Sequence, residues 1–99
     1  MVGSVLNGSM FLDIVKRFGE VERVKSIFVG NCKGEVRVFV VIMEDKWDPD
    51  LRDMLLDIEY SIRKGFPDVV FQFFYLPWDR MSKMTLDCLK ESCYVWERR

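Results

Sequence analysis

Residues 38–43 read VFVVIM, six apolar residues in a row, with the alternating EVR before them and the acidic EDKWD after them. Successive side chains of a strand point to opposite faces, so a strand apolar at every position must be covered on both. The run is far shorter than the ~20 residues of a membrane span. It predicts a central strand over "EVRVFVVIM", sandwiched by other elements. Just upstream, "VERVKSIFVG" predicts a strand over residues 24–29. The polar "GNCKG" between the two is a turn, since Gly and Asn tolerate left-handed conformations. Two strands joined by so tight a turn pair antiparallel.

The rest of the chain supplies the cover. Met10, Phe11, Ile14, Val15 and Phe18 recur at helical spacing, with Ser9 as a cap and Gly19 as a stop. Asp48 and Pro49 open a second helix, and Gly65 followed by Pro67 ends it. Leu51, Met54, Leu55, Ile58 and Ile62 form its apolar stripe. "DVVFQFFYLP" is a third strand, with Val69, Phe71, Phe73 and Tyr75 on one face. A short helix follows near residues 81–91, capped by Asp79 or Ser82 and carrying Met81, Met84, Cys88 and Leu89. "CYVWERR" is a last strand, at an edge and ending in charge. The order is helix, strand, strand, helix, strand, helix, strand. The helix between the second and third strands implies a right-handed parallel crossover. The expected fold is α/β (α+β): a small mixed sheet of about four strands with helices packed on it.

Length and composition narrow the function. With 99 residues the chain is one domain, residues 10–99, behind a small flexible extension or tag at residues 1–9 that does not read as a signal peptide. There is no histidine, which removes the commonest general base and every His-bearing metal site. Cys32, Cys88 and Cys93 are an odd set, which favours a reducing interior, a cytoplasmic location and thiols buried as small hydrophobes. A formal net charge of -1 argues against non-specific nucleic-acid binding, and no membrane partner is expected.

In its ordered short segments the chain resembles the minimal nucleotidyltransferase fold of the small-antitoxin type. "VERVKSIFVGNCKGEVRVFVVI" is similar to that family's first strand, Gly-Ser turn and second strand. "FQFFYLPWDRMSKMTLDCLKESCYVWER" is similar to its last strand, a short helix and a closing hydrophobic-Tyr segment. The resemblance implies a turn that holds nucleotide phosphates, and three carboxylates that bind two Mg²⁺ ions. The turn's Gly matches Gly30, but Asn31 stands at the Ser position. The first acidic position falls near Glu35, the second at Arg37 and the third at Gln72. At most one carboxylate survives, beside a cation.

The leading expectation is a non-catalytic, degenerate nucleotidyltransferase-like domain that needs no cofactor. It would act as a protein-interaction or regulatory module, toxin–antitoxin-like in its pairing, with itself as a homodimer or with a small protein as partner. Trp47, Trp78 and Trp96 are candidate interface anchors. The alternative is weak nucleotide binding, or nucleotidyl transfer with Mg²⁺, at Gly30, Asn31, Lys33, Gly34 and Glu35. A third reading is an unrelated small α/β domain. Asp50, Asp53 and Asp57 share a helix face and read as solvated acids rather than a cation site.

Overall fold

A computed structural model describes residues 8–43, 49–92 and 94–98. Its elements are helix α1 (Gly8–Gly19), strands β1 (Val24–Cys32) and β2 (Glu35–Ile42), helix α2 (Pro49–Gly65), strand β3 (Val70–Pro77), helix α3 (Lys83–Ser92) and strand β4 (Tyr94–Glu97). A single 3-10 turn, Trp78–Arg80, joins β3 to the α3 segment. The four strands form one mixed sheet in the order β3-β2-β1-β4. β1 pairs antiparallel with β2 and with β4, and β2 pairs parallel with β3. The α+β architecture, the parallel crossover through α2 and the edge position of β4 are as the sequence pattern requires.

Alternation sorts the strands into two faces. On one, Ile27, Val29, Val36, Val38, Val40, Ile42 and Phe71 are buried together with Met10, Ile14 and Phe18 of α1 and Leu51, Leu55 and Ile62 of α2. This is the main core, at ~25 cal/mol per Å² of apolar surface removed from water. Phe28 and Val41 belong to the other face and are also fully buried. Among the described residues, α3, which packs against β1, is the helix left to cover that side. The central run 38–43 is thus covered on both faces until Met43, which emerges exposed.

Four boundaries and faces differ from the sequence expectation. The hairpin turn is only Lys33 and Gly34, at φ 52 and 81, because Cys32 pairs with Glu35. Two consecutive left-handed residues match the right-handed twist of the flanking strands, so the strands continue through Gly30 and Asn31. α1 begins at Gly8, which puts Ser9 inside the helix rather than at its cap. Met54 leaves the apolar stripe of α2 and is exposed. In α3 the side facing inward is Leu86 and Leu89; Met84 and Cys88 are exposed, against the expectation of buried thiols. Ser82 does cap α3, its Oγ accepting from the Thr85 N–H at 3.1 Å. The Asp48 cap, Trp47 and Cys93 lie outside the described residues.

Candidate functional site

Glu35 and Arg37, with Gln72 beside them, fall on one face of the sheet, the face turned away from α1 and α2. Gly30 pairs with Arg37, and Arg37 pairs in turn with Gln72. Glu35 lies two residues before Arg37 on the same face and accepts a hydrogen bond from the Gln72 amide at 2.6 Å. Glu35, Arg37 and Gln72 are therefore neighbours across β2 and β3. Asn31 sits in β1 opposite Val36, and with it projects to the other face. Lys33 and Gly34 are exposed at the hairpin tip.

The chemistry of this cluster is that of a mixed polar patch with an acid, an amide and a cation. One Glu35 oxygen is engaged by a neutral amide, and a guanidinium stands beside the pair. Arg37 Nε is shielded from water and has no hydrogen-bond partner among the described residues. A divalent ion needs several converging anionic oxygens. Among the described residues no group of three Cys, Asp or Glu side chains is arranged to hold a metal. Next to the cluster, Phe39 and Phe74 stack at 5.0 Å between centroids and 15° between planes. Phe74 is 37% exposed and Val70 57% exposed, so this aromatic and aliphatic strip opens to solvent along β3.

A second constellation lies on the helix side of β3, and sequence reasoning missed it. The Tyr75 hydroxyl donates to Glu59 of α2. Arg63, one turn on, lies 3.7 Å from the same carboxylate, donates to the Phe71 carbonyl at 3.2 Å and covers the Phe73 ring at 5.0 Å. Burial, and then the hydrogen bond and negative charge of Glu59, push the Tyr75 hydroxyl far above its ordinary pKa, and Arg63 offsets this only in part. The phenol therefore stays neutral and acts as a tether, not as a base. The signal for it was an acid, Glu59, beside Leu55, Ile58 and Ile62 on the apolar side of α2.

The tryptophans divide. Trp96 is half-buried, packs against the main core and carries Arg98 over its ring at 5.2 Å. Trp78 is 42% exposed at the end of β3, with the Lys25 ammonium 5.4 Å from its ring. Between α1 and α2 runs an open groove of about 520 Å³, lined by Asp13, Lys16, Glu20, Met54, Asp57 and Ser61 among others. Its charges are of both signs, and Asp13 is already bound to Arg17 at 3.2 Å. Asp50, Asp53 and Asp57 are all exposed. No described helix is long and apolar enough to cross a membrane.

Compared with protein-family models, with curated proteins and with solved structures, the chain matches none of them.

Proposed function

We propose that this chain is a non-catalytic binding module on a nucleotidyltransferase-like scaffold whose catalytic positions have been given over to other side chains. One observation carries the reading. Residues 35, 37 and 72 are adjacent on one face, as a three-carboxylate site requires, but they are an acid, a cation and an amide, and the amide occupies the acid. Nucleotidyl transfer consists largely of positioning and charge neutralisation by metal ions. A guanidinium among the ligands repels those ions. The family resemblance makes a regulatory, toxin–antitoxin-like pairing the natural form of such a module, with a second copy or a small protein as the partner.

A second reading draws on Arg37 and Lys33. A cation with a shielded, unpartnered Nε beside a part-exposed aromatic stack suits a phosphate joined to a planar base, so a nucleotide without catalysis is the competing ligand. Calorimetric titration with ATP and GTP, with and without Mg²⁺, separates the two. The binding-module reading expects no saturable heat. Saturable binding that disappears in Lys33→Ala and Glu35→Gln establishes the nucleotide site instead.

A further inference from the structure

The outer edge of β3 breaks the usual rule for sheet edges. An edge strand presents unpaired backbone groups, and proteins blunt it with charge, proline, bulges or brevity. β3 is eight residues long and continuously paired with β2 on its inner side. From residue 69 to residue 78 there is no charged residue at all, and the one proline inside the stretch stands at the strand's end. Val70, Phe74 and then Trp78 carry exposed apolar surface along it.

We infer that β3 pairs antiparallel with β3 of a second copy, joining two four-stranded sheets into one. The inference rests on the binding-module reading and names its partner. The choice of a second copy, rather than an unrelated strand, comes from the charges flanking the edge. α2 places Glu59 beside Tyr75 and Arg63 beside Phe71 and Phe73. A two-fold axis at Phe73 sets Phe71 of each copy opposite Tyr75 of the other. Arg63 of each copy then faces Glu59 of the other, and the arrangement occurs twice. Arg63 is 49% exposed and so is available at the edge. The partner strand's N–H groups can take over the Phe71 carbonyl that Arg63 now serves, freeing the guanidinium for the second carboxylate.

On the opposite face the same axis sets Val70 against Leu76 and Gln72 against Phe74. Residues 69–78 bring no charged side chain of their own into the joint, which is roughly 26 Å of ladder. An isologous contact requires a patch complementary to itself. This edge satisfies that requirement in backbone, apolar side chains and charge.

The test is sedimentation equilibrium of the full chain over micromolar to millimolar concentration. The native chain is expected to dimerise reversibly. Val70→Lys and Phe74→Lys each place two cations in the joint and are expected to weaken association more than ten-fold. Met84→Lys, on the exposed side of α3, is expected to leave it unchanged. Both edge substitutions are at solvent-accessible positions, and a cooperative melt at a concentration where the native chain is monomeric verifies that they fold. Arg63→Glu is expected to weaken the dimer several-fold, and adding Glu59→Lys to restore it. A native chain monomeric throughout, or a dimer indifferent to Val70→Lys and Phe74→Lys, overturns the inference. Either result leaves the binding-module reading standing, because that reading fails on a different measurement, saturable nucleotide binding.

Discussion

The two edges of this sheet differ in every property that decides whether an edge stays unpaired. β4 has four residues, and it is followed by Arg98, whose backbone N–H donates to the Lys25 carbonyl at 2.9 Å. The Arg98 guanidinium donates to the carbonyls of Gly19, Val21 and Val24 at 2.7, 3.0 and 2.9 Å, binding the strand's end to the α1–β1 connection. β3 has eight residues, an uncharged side-chain row and apolar surface open to water. One edge is short, charged and tied down. The other is long and neutral, held to α2 through Arg63 at the Phe71 carbonyl and Glu59 at the Tyr75 hydroxyl. Such an asymmetry teaches where to look for a partner: brevity and charge close an edge, and an edge left without them is one the protein keeps for pairing.

Breaking the closed edge has the largest expected effect. Arg98→Ala removes three charge-assisted hydrogen bonds from carbonyls around the end of α1, and is expected to cost about 3 kcal/mol in urea unfolding. The same substitution leaves β3 untouched, so dimerisation measured under folding conditions persists. A loss below about 0.5 kcal/mol in that unfolding experiment shows that β4 is not held as described.

At the open edge, Tyr75→Phe deletes the tether to Glu59 and is expected to cost about 1 kcal/mol near neutral pH. Its pH dependence sharpens the point. The Tyr75 pKa is raised in the folded state, so above the ordinary tyrosine value the unfolded chain binds fewer protons than the folded one. The stabilisation from the neutral phenol is complete below about pH 10 and declines as pH rises beyond it. Tyr75→Phe lacks that term, so the native chain is expected to lose stability more steeply than the variant between about pH 10 and pH 12, followed by guanidinium unfolding at each pH. Equal slopes contradict the buried tether.

The smallest effect is at the hairpin that links the two central strands. Lys33 holds φ 52 beside Gly34 at φ 81, and Asn is better suited than Lys to that first turn position. Lys33→Asn is expected to stabilise by about 0.5 kcal/mol. A destabilisation on the thermal melt would assign Lys33 a tertiary role that its exposed position does not suggest.

Much of this fold was legible because its local signals agree. The unbroken apolar run 38–43, the 3-4 spacing of Leu51, Leu55, Ile58 and Ile62, and the alternation of Phe71, Phe73 and Tyr75 each report one face of one element. Less legible were features set by geometry between elements. Gly30 and Asn31 look like turn residues, yet strand pairing carries β1 through them, because the two-residue turn needs only Lys33 and Gly34. α3 misled because its amphipathic pattern is weak, with Met84 and Cys88 turned out and Leu86 and Leu89 turned in. At the site, the grouping of residues 35, 37 and 72 came only with the resemblance, and the bond between two of them was not readable. The hydrogen bond from Gln72 to Glu35 spans 37 positions of chain. Arg98 read only as charge at an edge strand, since nothing in the sequence shows which carbonyls it reaches.

Hydrogen–deuterium exchange of the native chain, followed strand by strand as protein concentration is raised, tests the edge asymmetry most directly. Slower exchange along β3 with β4 unchanged is the expected result, because a copied strand shields only the uncharged side of the sheet. Exchange along β3 that stays fast at every concentration, or slows equally in β4, contradicts it.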